Sequence, residues 1–250
     1  MTRVYIFIIF IIVSLGSLAA DFKNETLHYI VSYKWGLIQK DSGEATLTLT
    51  DDGEHYNIKM TGKTKPWADR FFQVRDTLEG KIRKRDFKPL LYVKKAHEKD
   101  RHSTDVIKYV YGNDRVEGQV QRAKTNKKGE WERSSGTLQA SGDVFDMLSI
   151  FYFLRKINYD ELQTDKTVKA MMFSGSKVEE LTITCKGKEK IKLRDKTEQE
   201  AYHILFRFTT EGKKKSSDDI ETWISTDPSH IPLLIIGNLT IGEVRCYYVK

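Results

Sequence analysis

The side chains best placed for chemistry lie in one apolar stretch near the middle of the chain. Ser149, Tyr152 and Arg155 follow one another at three-residue spacing, which places two hydroxyls and a guanidinium on successive turns of a helix. A hydroxyl nucleophile needs a general base beside it. No histidine or carboxylate stands next to these residues in the sequence, so the pattern gives no argument for catalysis.

The densest group of metal-ligating residues is His97-Glu98-x-Asp100-x-His102. Its spacing within a polar loop matches no standard metal site. The sequence also contains no G-x-S-x-G elbow, phosphate-binding loop, dinucleotide fingerprint or H-E-x-x-H helix. We therefore predict a protein that is not an enzyme and that has no catalytic residues, no cofactor and no metal.

The apolar stretch itself, residues 143–157, predicts a helix. At about 100° per residue its apolar side chains cover more than half of the circumference, so the helix must be surrounded rather than laid on a flat surface. Arg155 projects into the apolar sector near Val144 and Leu148. Because an unpaired buried charge is costly, its guanidinium must meet a carboxylate, the last carbonyls of the helix or an anionic ligand.

The rest of the chain predicts strands that would surround this helix. Apolar residues alternate from Leu27 to Leu37, and turns at residues 41–43 and 51–53 lead into two further alternating runs. Pro66 opens a short helix. More than ten strands are expected, and a sheet of that size must curl or close. The predicted fold is mainly β: a curved antiparallel sheet or partial barrel enclosing one central helix, plus a short helix.

The N-terminus predicts export. Residues 1–20 combine Arg3, an apolar core and small residues before a cut after Ala19 or Ala20, as in a secretory signal peptide; a retained anchor is the alternative. Residues 21–250 are expected to form a single β-rich domain in the periplasm. There Cys185 and Cys246 would form a disulfide or remain two buried thiols.

The charge balance limits the partners. The net charge of +7 suits peripheral contact with an anionic membrane surface. It is spread along the chain, and the clustered basic faces of nucleic-acid-binding proteins are absent, so no nucleic-acid partner is expected.

Short pieces along nearly the whole chain form one ordered pattern: Tyr33 to Ile38, Val74-Arg75-Asp76 with Glu79, Pro89, Asp146 with Ser149, Tyr152 and Arg155, Gly187-Lys188-Glu189, Trp223-Ile224-Ser225 with Asp227, Ile231-Pro232-Leu233 and Gly242. Together they resemble domain-of-unknown-function family 3108, exported proteins of Gram-negative envelopes. The segment after Glu189 departs from that pattern because it lacks a turn glycine. The resemblance brings no established activity, and it suggests an architecture related to the open β half-barrels of periplasmic lipoprotein carriers.

Asp76, Glu79 and Arg155 all belong to the matching pieces, and we predict that Arg155 forms a structural ion pair with Asp76 or Glu79.

Two functional hypotheses follow from the sequence. The first is a periplasmic binding or carrier protein whose β cavity holds a lipid or other amphiphile, supported by 12 Tyr, 12 Phe and 4 Trp. The second is an envelope module with a filled core that binds a protein or a glycan through exposed aromatics such as Trp67 and Trp131. The candidate ligand-binding residues for the first are Trp35, Phe151, Tyr152, Arg155 and Trp223.

Overall fold

A computed structural model describes residues 22–162, 164–210 and 219–250. The predicted signal peptide, residues 1–20, lies outside these ranges. The chain has two helices, α1 (Pro66–Asp69) and α2 (Met147–Leu154), in the described ranges. The strands there are β1 (Glu25–Trp35), β2 (Ile38–Asp51), β3 (His55–Thr64), β4 (Arg75–Arg83), β5 (Pro89–Glu98), β6 (Arg101–Tyr111), β7 (Val116–Thr125), β8 (Trp131–Ala140), β9 (Val144–Phe145), β10 (Thr167–Ser174), β11 (Lys177–Lys192), β12 (Glu198–Thr210), β13 (Ile220–Ser225), β14 (Pro232–Asn238) and β15 (Glu243–Val249).

All of these strands belong to one sheet. Neighbours along the chain pair in order from β8 back to β1, β1 pairs with β15, and the order then runs back from β15 to β9. Every pairing is antiparallel except the short parallel contact of β9 with β10. The sheet forms a nearly closed barrel, and the predicted fold class is confirmed.

The two ends of the sheet overlap instead of pairing. Phe173 of β10 stacks on Tyr109 of β6, with 5.7 Å between ring centroids, and packs against Gly118 of β7. A Cβ atom added at Gly118 would lie 2.6 Å from the Phe173 ring. The glycine therefore allows the β10–β11 hairpin to pack against the inner face of β6 and β7.

Helix α2 fills the space inside the sheet. Val144, Leu148 and Tyr152 join a core cluster with strands of the N-terminal half. Ile150 and Leu154 join a second cluster with β10 to β13. The helix therefore binds the two halves of the sheet together, as its broad apolar surface predicted.

Helix α2 is shorter than predicted. Residues 144 and 145 pair with β10 as β9, and Asp146 caps the helix, which begins at Met147 and ends at Leu154. The predicted turn at residues 41–43 is also wrong. The chain turns at Gly36, which has a φ of 56°, and Ser42 forms a bulge inside β2.

The two cysteines do not form a disulfide. Cys185 lies on β11 and Cys246 on β15, with three strands between them in the sheet order. That separation is too large for the Cα distance of about 6 Å that a disulfide requires. Both thiols are free, and desolvation raises the pKa of Cys246 to about 11.

Candidate functional site

Asp146 and Ser149 form the N-terminal cap of α2. The Asp146 carboxylate accepts hydrogen bonds from the backbone N–H groups of Leu148 and Ser149, each at 2.9 Å. The Ser149 Oγ accepts one from the backbone N–H of Asp146 at 2.8 Å. Both residues are buried, and this reciprocal capping box satisfies donors that the helix cannot satisfy internally. These two members of the family pattern therefore position the helix.

The interior contains polar atoms without hydrogen-bond partners among the described residues: Oδ2 of Asp146 and the hydroxyls of Tyr109 and Tyr152. Burial raises the pKa of Asp146 to about 6, although the hydrogen bonds to its other oxygen oppose that shift. Tyr109 lies close enough to interact electrostatically with Asp146, and Tyr152 with Glu25, but neither contact has hydrogen-bonding geometry. Among the buried groups whose pKa is shifted by the fold, the Asp146 carboxyl group is thus the one that changes its charge nearest to neutral pH.

Arg155, at the C-terminal end of α2, is held by three hydrogen bonds and a cation–π contact. Its two terminal nitrogens donate to the Glu25 carboxylate, with 3.1 Å between Nη2 and Oε2, and its Nε donates to the Ser229 carbonyl at 2.9 Å. The guanidinium also lies 4.6 Å from the centre of the Phe22 ring. Arg155 is 4% exposed, so the pair joins β1, α2 and the β13–β14 turn inside the fold.

The predicted pairing of Arg155 with Asp76 or Glu79 is wrong. Asp76 accepts a hydrogen bond from the backbone N–H of His97 at 3.2 Å. Glu79 alternates with Leu78 and Gly80, which face α2 and the core, and so points outward between Lys59 and Lys95. The true partner, Glu25, stands 130 residues before Arg155, at the first residue of β1. No local pattern in the sequence connects the two.

The five candidate ligand-binding residues do not line one cavity. Trp35 is 61% exposed beside the β1–β2 turn. Trp223 is buried on the face opposite to its neighbour Ile224, where it stacks on His203 with 4.6 Å between ring centroids. Only Phe151, Tyr152 and Arg155 lie together, and Tyr152 is fully buried. Fully buried side chains occupy the described interior, among them Tyr56, Ile82, Ile107, Leu148 and Tyr152, each less than 2% exposed.

The outer face of β6, β7 and β8 carries an open groove of about 410 Å³. In β6, buried Asp105, Ile107 and Tyr109 alternate with Thr104 and Val106, so the latter two face outward. Cross-strand pairing places further outward residues beside them, and the groove is lined by these and by the alternating Arg122 and Ser134; its outward lining residues are Thr104, Val106, Gln121, Ala123, Arg133 and Ser135. Arg133 has no acidic partner among the described residues.

An aromatic row borders this groove on the same face. The His97 and His102 rings stack with 4.0 Å between centroids, and the His102 ring lies 6.3 Å from that of Trp131. Trp131 is 51% exposed. In residues 22–162, 164–210 and 219–250, no three His, Cys, Asp or Glu side chains are grouped so as to hold a metal ion.

From the sequence alone, Trp131 was a candidate binding residue, but the groove beside it was not predicted. One usable signal was present: β8, WERSSGTLQA, lacks the apolar alternation of a strand with one buried face. The lining residues Thr104, Gln121 and Arg133 lie on three different strands, and only the pairing register of β6, β7 and β8 brings them together.

Comparisons with known proteins place the chain in a family without an assigned role. A crystal structure of a beta-barrel-like protein of domain of unknown function DUF1849 from Brucella abortus is similar, with a TM-score of 0.60 and 10% sequence identity over 91% of this chain and 96% of that chain. At this identity the likeness concerns the fold alone. No curated protein matches the sequence. Neither helix in the described ranges is long and apolar enough to cross a bilayer. The model of the family described as "Protein of unknown function (DUF3108)" matches residues 28–248, and the chain therefore belongs to the DUF3108 family.

Proposed function

We propose that this chain is a non-enzymatic binding protein of the bacterial cell envelope that holds an anionic glycan on the outer face of β6–β8. The observation that carries the proposal is the groove of about 410 Å³ beside exposed Trp131. Its volume falls within the range of about 300–1,000 Å³ that is typical of ligand sites. Location in the periplasm rests on the signal-like residues 1–20.

The groove offers three kinds of contact that suit a charged sugar. The half-exposed Trp131 ring provides an amphipathic surface on which the apolar face of a sugar ring can pack. Arg133, which has no acidic partner in the described chain, can donate two parallel hydrogen bonds to a carboxylate. Thr104, Gln121 and Ser135 supply hydroxyl and amide groups for sugar hydroxyls.

The interior supports the carrier hypothesis less well. Arg155, the cation expected to bind an amphiphile there, already donates to Glu25 and Ser229. Its surroundings are closed by Phe22, whose ring packs against Tyr152 with 5.2 Å between centroids. An amphiphile that binds Arg155 would have to displace these contacts, whereas the outer groove is open as it stands.

The proposal is tested by isothermal titration calorimetry with an alginate hexasaccharide as the anionic probe and cellohexaose as the neutral one. We expect binding of the alginate oligosaccharide and a loss of about tenfold or more in affinity for Trp131→Ala and for Arg133→Ala, since each removes a central contact. Trp35→Ala is the matched control, because Trp35 is also an exposed indole but lies beside the distant β1–β2 turn. The proposal fails if wild type binds neither probe, or if Trp35→Ala weakens binding as much as Trp131→Ala.

A further inference from the structure

Strand β8 is more exposed to solvent than any other long strand of the sheet. Residues 131–137 are all exposed, and only Leu138 and Ala140 are partly covered. The overlap of the sheet ends explains this exposure. The β10–β11 hairpin packs on the inner face of β6 and β7 through Phe173, and Arg122 of β7 donates to Ser176 of the hairpin turn at 3.0 Å. Most of β8 projects beyond that contact.

The backbone of β8 also has an open edge. Asn126 donates its N–H to the Glu130 carbonyl at 2.9 Å and so closes the β7–β8 turn as a hydrogen-bonded pair. Hydrogen-bonded and non-bonded pairs alternate from there in an unbroken register. The N–H and C=O groups that point away from β7 therefore belong to Trp131, Arg133, Ser135, Thr137 and Gln139, and they have no backbone partner among the described residues.

This edge has few of the features that usually protect a terminal strand. It contains no proline, lysine or bulge, its charged residues Glu132 and Arg133 both lie near one end, and its centre is Ser134-Ser135-Gly136-Thr137. An open edge of this kind is a template for a further strand.

The sequence of β8 is compatible with its own copy. In an antiparallel pair of β8 strands, the residues whose N–H and C=O groups point away from β7 must lie opposite one another. With the twofold axis at Ser135, Trp131 faces Gln139, Glu132 faces Leu138 and Arg133 faces Thr137. No two like charges are opposed, which would be destabilising. The five residues of each copy whose backbone groups point away from β7 would form about ten main-chain hydrogen bonds between the two copies.

We propose that β8 is the strand through which two copies of this chain associate, edge to edge and antiparallel, with Ser135 at the twofold axis. The pairing makes one continuous sheet of the two copies. Since Arg133 and Ser135 line the outer groove of each copy, it also brings the two grooves together across the axis. The association itself does not depend on what the groove binds.

Sedimentation velocity over a concentration series tests this proposal with Ser135→Pro and Ser135→Ala. Proline removes the outward N–H at the axis in both copies but leaves the bonds to β7, so the thermal unfolding temperature should match that of the alanine variant. We expect a wild-type dimer, no change for Ser135→Ala and a dissociation constant raised about 30-fold or more for Ser135→Pro. A wild-type chain that stays monomeric at about 100 µM, within the micromolar range of specific association, overturns the proposal. So does a dimer that is unaffected by Ser135→Pro.

Cysteine cross-linking provides a readout that does not depend on the proline variant. Ser135→Cys places two thiols across the axis, and mild oxidation should give a covalent dimer on a non-reducing gel. Gln119→Cys is the control, because Gln119 is also exposed on the outer face but belongs to β7. Absence of the Ser135→Cys dimer, or equal cross-linking through Gln119→Cys, contradicts the proposed pairing.

Discussion

Replacing Arg155 by alanine removes the cation that joins α2 to β1 and to the β13–β14 turn. The Arg155 side chain is 2% exposed and that of Glu25 is 21% exposed, so the remaining carboxylate would be left largely without water or a partner. Breaking a buried pair in this way typically costs about 3–5 kcal/mol. Because Glu25 retains some contact with solvent, we expect the lower part of that range, about 3 kcal/mol, for Arg155→Ala.

Urea unfolding followed by tryptophan fluorescence measures this loss as a lower midpoint with an unchanged slope. Arg207→Ala is the control: Arg207 binds Asp219 through two hydrogen bonds of 2.8 Å but is 55% exposed, so its midpoint should stay at the wild-type value. The double variant Glu25→Leu with Arg155→Met should recover most of the lost stability, because it removes both charges. A midpoint for Arg155→Ala equal to that of Arg207→Ala would refute the reasoning.

Two further predictions concern the interior. The pKa of Asp146 is raised from 3.8 to about 6 in the folded chain, so its contribution to stability is complete below pH 3.8 and is lost as the pH rises through about 6. Asp146→Asn keeps the capping acceptor, and its stability relative to wild type should increase by about 2 kcal/mol between pH 4 and pH 7, as measured by urea unfolding at each pH; a pH-independent difference would contradict the burial of this charge. Gly118→Ala should cost about 1–3 kcal/mol, because the added Cβ would lie 2.6 Å from Phe173. In contrast, Gly136→Ala on β8 meets nothing within 4 Å and should unfold at the wild-type midpoint, so equal midpoints for the two variants would show that the hairpin does not pack as described.

Local patterns were sufficient to predict the architecture. The alternation from Leu27 onward marks β1, and the broad apolar surface of residues 143–157 predicts a helix enclosed by strands, because both signals are properties of a single segment. The bounds of α2 were less predictable. Its first residues join β10 in the sheet, and that choice depends on a strand more than twenty residues later.

The contacts of the site depend on distant segments and were therefore missed or misassigned. The position of Arg155 in the apolar sector correctly required a partner, but any carboxylate in the chain could have met it, and two wrong ones were chosen. Trp223 was grouped with the interior aromatics because an alternating run does not reveal which of its faces is inside. The bulge between Trp223 and Ile224 further obscures that pattern.

Native mass spectrometry of the chain purified without detergent, compared with its denatured mass, tests most directly the proposal that binding takes place on the outer face and not in the interior. We predict that each native species has the mass of the polypeptide alone or of its dimer. A bound lipid of stoichiometric amount that is released only on unfolding would contradict the account.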